Sequence, residues 1–132
     1  MKALEEKILK EGQVLPGNVL KVGSFLNQQV DAVFLKEMAK ETRRLFSDER
    51  ITKVLTVEAS GIAFATAVAM ELGVPMVFAK KHPSANVSGE QYSAAVYSYT
   101  HKQTYNVAVT KDYLSSADRV LITDDFLAGG NA

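Results

Sequence analysis

The chain Val120-Leu121-Ile122-Thr123 runs into two adjacent acids, Asp124 and Asp125, then the apolar pair Phe126 and Leu127, then the small residues Ala128, Gly129, Gly130, Asn131 and Ala132. Carboxylates accept hydrogen bonds from hydroxyls and are poor ligands for phosphate, whereas bare amides beside glycines are good ones. A sugar over the acids and a phosphate in the loop satisfy both halves of this pattern. Two other segments could complete such a site. Glu58-Ala59-Ser60-Gly61 is a small-residue turn entering a helix, with free amides that can hold an anion. Lys80 and Lys81 are paired cations suited to phosphate oxygens. Taken alone, the first is an ordinary βα turn and the second an ordinary solvated basic pair. The acidic pair followed by a glycine loop is the specific signal.

The elements that would position these residues follow from periodicity. Ile51 to Val57 is rich in β-branched residues and predicts a buried strand; Gly61 to Leu72 predicts a helix closed by Gly73, and Val74 to Ala79 the next strand. Strand, helix and strand within about 30 residues make a parallel βαβ unit. Val120 to Thr123 is a third strand, and ligands of open α/β sheets bind beyond the carboxyl ends of the strands, so the three exits after Val57, Ala79 and Thr123 should form one site. Upstream, Leu4, Ile8 and Leu9 predict one face of a first helix that Gly12 ends in a left-handed cap, and Pro16-Gly17 a turn. An irregular stretch from Asn18 to Val30 then leads to Asp31. That residue N-caps a second helix with apolar positions Phe34, Leu35, Met38, Ala39, Leu45 and Phe46. Lys80 to Glu90 is a surface loop, and Tyr92 to Tyr99 with Thr104 to Thr110 an antiparallel hairpin.

Composition sets the frame. The 132 residues suit a single domain, with no linker or repeat. Fifteen basic and fifteen acidic residues cancel, which removes the global charge a nucleic-acid or acidic-membrane binder carries, so any anion site is local. There is no cysteine and there are two histidines, which excludes thiolate metal centres, disulfides and a cysteine nucleophile and disfavours a histidine-built zinc site. No apolar run reaches the roughly 20 residues of a membrane span, and residues 1–12 lack the pattern of a signal peptide. A cytoplasmic location is the default expectation.

With these residues in hand, Val120 to Ala132 resembles the phosphoribosyl-diphosphate signature of type I phosphoribosyltransferases. The similarity, closest to the xanthine-using bacterial branch of that family, covers nearly the whole chain. It runs from Val19-Leu20-Lys21-Val22-Gly23-Ser24-Phe25-Leu26-Asn27, through Val57-Glu58-Ala59-Ser60-Gly61-Ile62-Ala63 and Val77-Phe78-Ala79-Lys80-Lys81-His82, to Ala95-Val96-Tyr97-Ser98-Tyr99 and Asp124-Asp125-Phe126-Leu127-Ala128.

The resemblance implies an α/β fold: a parallel sheet flanked by helices, an N-terminal hood segment and an antiparallel flexible hairpin. It implies that Asp124 and Asp125 bind the ribose hydroxyls as the catalytic pair, and that Ala128, Gly129, Gly130, Asn131 and Ala132 hold the 5′-phosphate. Ala59, Ser60, Lys80 and Lys81 would face the pyrophosphate, with an unusual backbone, such as a non-proline cis peptide, at the Ala59-Ser60 loop. Leu20 and Asn27 would contact the purine. Gly129-Gly130 stands where the family commonly has Asn-Gly, which loosens the loop and keeps its amides. The implied reaction moves phosphoribose from its diphosphate to xanthine N9. Mg²⁺ would be carried by the diphosphate with no ligand directly from the protein, no residue would act as covalent nucleophile, and the segment from His82 to Tyr105 would close over the donor. The family needs elements after the phosphate loop, including a purine-contacting lysine, so residues 1–132 are expected to be one incomplete domain of a longer chain, which intact mass measures. A homodimer is expected, from the resemblance and from the tyrosines of the hairpin.

Three readings compete with this enzyme. A phosphoribosyl-diphosphate-sensing purine regulator would need an added DNA-binding domain, and the first 50 residues hold no basic cluster. A phosphate-receiver domain would place its acids near the first strand and lack the glycine loop. A phosphoribosyltransferase for guanine, hypoxanthine or adenine differs only in the base pocket.

Overall fold

The computed structural model describes residues 1–17, 19–81, 89–98 and 103–127. The predicted phosphate loop Ala128-Gly129-Gly130-Asn131-Ala132, most of the Lys80 to Glu90 loop and the turn of the hairpin lie outside the described residues.

The centre is a three-stranded parallel sheet of β3 (Lys53–Val57), β4 (Met76–Ala79) and β7 (Val120–Ile122), in the order β4-β3-β7. Helix α3 (Gly61–Leu72) connects β3 to β4 and ends at Gly73, whose φ of 70° is the left-handed cap expected there. Strand alternation sends Val54 and Leu121 to one face, where they pack on Ala65, Val68 and Ala69 of α3 and on Ala39. Leu55, Val57 and Val77 point to the other face. They meet Val107 and Val109 of an antiparallel hairpin, β5 (Gln91–Ser98) and β6 (Gln103–Thr110). A two-way amide exchange between Lys80 and Ala108, at 2.8 and 2.9 Å, stitches β6 to the end of β4. Among the described residues the helices therefore cover one face of the sheet and the hairpin the other. None of the described helices is long and apolar enough to cross a membrane.

Ahead of the sheet lie α1 (Lys2–Glu11), a small hairpin of β1 (Gln13–Leu15) and β2 (Val19–Lys21), one π-helical turn (Gly23–Asn27) and α2 (Ala32–Leu45). Asp31 N-caps α2 through Oδ1, which accepts from the Phe34 amide at 3.0 Å, while its Oδ2 accepts from Lys7 at 2.9 Å. Lys7 also reaches Glu11, and its Nζ stands 5.3 and 5.1 Å from the ring centres of Phe25 and Phe34, which meet edge to face. This fixes α1 over the start of α2. Val22, Phe25, Leu26, Phe34, Leu35 and Met38 form the buried cluster beneath, with Leu4, Ile8, Leu20 and Phe64 packed against it.

Several sequence expectations are corrected here. Gly12 is extended (φ −74°, ψ 150°), not left-handed, because the chain passes straight into β1; a glycine suits the position because a Cβ would lie 2.5 Å from the Ile8 carbonyl oxygen. Leu9 is 85 % exposed, one residue round from Ile8 and off the packed face. Of the stretch expected to be irregular, the described residues 19–30 are not: they hold β2 and the π turn, elements too short to leave a period. Leu45 and Phe46 are exposed where α2 runs past the edge of the core.

At the amino ends of the strands, Asp118 accepts from the Ser115 amide, Lys53 Nζ and the Thr52 hydroxyl at 2.9 to 3.0 Å. The Ser115 amide, followed by Lys53, holds its carboxyl down at about 2. A carboxyl depressed in the fold contributes stability that is present above its unfolded value, about 3.9, and lost as pH falls toward 2. Asp118→Asn should therefore melt lower than the parent at neutral pH and converge with it in strong acid, measured by thermal unfolding across pH.

Candidate active site

Because β3 is central, the exits of β4, β3 and β7 lie side by side, and hydrogen bonds tie them together. The Thr123 amide donates to Leu55 O at 2.9 Å and the Glu58 amide to Ala79 O at 3.0 Å, carrying both pairings past the strand ends. Ser60 Oγ donates to Asp125 Oδ1 at 3.0 Å, joining the first exit to the third. The Lys81 amide donates to Glu58 Oε1 at 2.6 Å, joining the second to the first. The peptide bond between Glu58 and Ala59 is cis, the geometry expected at this loop.

Asp124 follows Thr123 directly, and its Oδ1 accepts from the Asp125 amide at 2.9 Å. Much of the residue is exposed, yet Oδ1 is turned inward over Gly61: a Cβ on Gly61 would stand 2.6 Å from it and closer still to Thr56 Oγ1. Burial of this carboxyl, then the neighbouring Asp125 carboxylate, push Asp124 up to about 6, against the opposing charge of Lys81. Two carboxylates in contact resist double ionisation, and a cationic group arriving between them relieves both.

The acids form one end of a cavity of about 520 Å³ whose remaining wall is mostly apolar, from Leu4 and Ile8 of α1, Leu20 of β2, Phe25 and Leu26 of the π turn and Phe64 of α3. A mostly apolar cavity that also carries an acidic pair suits a flat heterocycle attached to a hydroxylated sugar.

The family profile described as a phosphoribosyl transferase domain matches residues 25–132. The chain belongs to the phosphoribosyl transferase family. Among its curated relatives, the xanthine phosphoribosyltransferase of Lachnoclostridium phytofermentans is 54 % identical over all 132 residues, which span 68 % of that protein. The xanthine phosphoribosyltransferase of Lactobacillus johnsonii is 55 % identical over the same residues, 69 % of its length. The fold is that of solved adenine phosphoribosyltransferases. The Leishmania tarentolae enzyme superposes with a TM-score of 0.71 over 98 % of this chain and 63 % of its own at 23 % identity, and the Giardia lamblia enzyme with 0.69 over 86 % and 63 % at 22 %.

Within this phosphoribosyl transferase the residues expected from sequence fall in two groups. Ala59, Ser60, Lys80, Lys81, Asp124 and Asp125 gather at the three adjoining exits. Lys81 Nζ lies 5.9 Å from the Tyr105 ring centre, and the backbone of Lys80 is occupied by Ala108. Leu20 lines the cavity. Asn27 does not: it is exposed at the end of the π turn whose Phe25 and Leu26 do line it. Phe126 and Leu127, quoted only as part of the signature, also line the cavity. Glu58 received no role from the sequence, although a carboxylate at the exit of one strand, with Lys80 and Lys81 at the exit of the next, was its signal.

Proposed function

We propose that this phosphoribosyl transferase moves phosphoribose from 5-phospho-α-D-ribose 1-diphosphate to N9 of xanthine, giving xanthosine 5′-monophosphate and diphosphate, a purine salvage reaction of the cytoplasm. The observation that carries the proposal is the continuity of the apolar cavity with the Asp124-Asp125 pair, which Ser60 ties to the turn at the start of α3. Relatives more than 50 % identical that are named for xanthine favour that base over adenine, since the adenine enzymes share the fold at much lower identity.

Asp124 and Asp125 accept the 2′- and 3′-hydroxyls and face the sugar. Cleavage at the anomeric carbon leaves an oxocarbenium-like centre, and the carboxylates stabilise the positive charge as it develops. Ala59, Ser60 and the Lys80-Lys81 pair receive the departing diphosphate, and Ala128 to Ala132 the 5′-phosphate. Leu20 and the apolar wall hold the purine ring beside the anomeric carbon, so that placement supplies much of the rate.

Among the described residues no group of three or more His, Cys, Asp or Glu side chains could hold a metal ion. The residues present fit Mg²⁺ that would arrive on the diphosphate and would supply neutralisation of the leaving group's charge. Ser60 and Lys81 then hold the diphosphate that carries it.

Turnover with the four bases in competition tests the proposal. Xanthine should be preferred over hypoxanthine and guanine, with adenine poor. An adenine preference would move the chain to another branch of its family. No heat on titrating millimolar sugar diphosphate with Mg²⁺ into the protein would refute the site itself. We further propose a homodimer: Tyr92 of β5 is 45 % exposed, an aromatic residue of the kind enriched in interfaces.

A further inference from the structure

Thr56 is 1 % exposed, and its hydroxyl has no hydrogen-bond partner among the described residues. Such an orphan is costly, because a buried hydroxyl without a partner loses its water without replacement, and valine would fill the same volume with no polar atom to satisfy. Thr56 lies in β3 on the face toward α3, one residue beyond the Leu55–Ile122 rung, so continuing the register sets it beside Thr123, whose buried hydroxyl is also unpartnered. What lies above Thr56 is Gly61. A Cβ there would touch both Thr56 Oγ1 and Asp124 Oδ1, so the two oxygens look onto the same small volume left free by the missing side chain.

We propose that Thr56 is a positioning residue for Asp124, its hydroxyl donating to Oδ1 across the bare Cα of Gly61 and holding the carboxylate inward, ionised and aimed at the sugar. This rests on Asp124 being the ribose acid of the proposed reaction. Asp124 Oδ1 shares the space above Gly61 with Thr56 Oγ1, and a small inward movement of its carboxyl completes the bond. The charged groups around Asp124 among the described residues are Asp125 beside it and Lys81 past the end of β4. Glu58 is tied to the Lys81 amide, and Glu41, across the cavity, is paired with Arg44. None of these is moved by a change at Thr56, so the effect of the hydroxyl can be read separately.

The test compares Thr56→Val, Thr56→Ser and the parent by the carboxyl titration of Asp124, followed by carbon NMR, and by the pH dependence of kcat/KM. A hydrogen bond to the ionised form favours that form, so its loss raises the titration midpoint. Thr56→Val should move both the midpoint and the acidic limb upward by about one pH unit, and raise KM for the sugar diphosphate severalfold at neutral pH. Thermal stability should be kept or increased, and Thr56→Ser should restore parental behaviour. Thr56→Ala gives the same comparison if the valine variant does not fold. A titration midpoint unmoved in Thr56→Val, or lost equally in Thr56→Ser, overturns the proposal. The NMR titration needs no turnover, so a failure of the proposed reaction would show in the parent's base assay and remain distinguishable from a failure of this inference.

Discussion

Asp125→Asn should lower kcat by about a hundredfold, the scale of removing one electrostatic contact to a transition state, while the protein melts near the parental temperature. The asparagine keeps an Oδ1 that can accept from Ser60, so the 3.0 Å link between the first and third exits survives the change. What disappears is a negative charge beside the sugar at the moment it becomes cationic. Ground-state binding of the sugar diphosphate should change less than kcat, because the hydroxyl contact remains available to the amide oxygen. The neighbouring acid responds as well: Asp125 is one of the groups that push Asp124 up to about 6. With Asp125 neutral, Asp124 ionises at lower pH, and the acidic limb of the residual activity should move down. Steady-state kinetics across pH, with thermal melts as the control, measure all three quantities. Parental kcat in this variant would show that the acids are not where the sugar sits.

The βαβ unit was legible because its signals are long and redundant. Ile51 to Val57, Gly61 to Leu72 and Gly73 each carry a period or a stop of their own, and the structure differs from them only at the strand starts, where pairing begins at Lys53 and Met76. The Asp31 cap was legible for the same reason, since one side chain and one amide suffice to make it. The N-terminal segment was harder. Strands of three residues and a single π turn are held by tertiary packing of Val22, Phe25 and Leu26, and nothing local distinguishes them from loop. At the site, residue type announced Asp124, Asp125 and the lysines. It could not announce that Thr56, a threonine in a buried strand, stands under Asp124, because that neighbourhood is created by the β3–β7 pairing across more than 60 residues of chain. Apart from Leu20, the cavity wall was similarly hidden, assembled from α1, the π turn and α3.

Gly61→Ala isolates that hidden geometry. On helix propensity alone the change should help, since glycine in a helix interior costs up to about 1 kcal/mol relative to alanine, and somewhat less at the first turn. Against it stands a Cβ placed 2.6 Å from Asp124 Oδ1 and nearer still to Thr56 Oγ1, with the Asp124 Cα at 3.6 Å. Thr56 is a β-branched side chain locked in the core and has little room to turn away. Overpacking of this kind costs about 1 to 3 kcal/mol, so the steric term outweighs the propensity gain and the variant should melt lower than the parent. The relief that costs least is to push the Asp124 carboxyl outward, off its inward seat. KM for the sugar diphosphate should then rise by an order of magnitude or more, with a smaller loss of affinity for the base, whose apolar wall is untouched. Combining Gly61→Ala with Thr56→Ala removes the nearer of the two clashing oxygens, and stability should recover in part, a coupling that contact neighbours show and distant pairs do not. Thermal melts of the two single variants and the double variant, with KM for both substrates, decide the matter: additive losses, or a Gly61→Ala protein as stable and as active as the parent, would mean that Gly61 does not set the seat of Asp124.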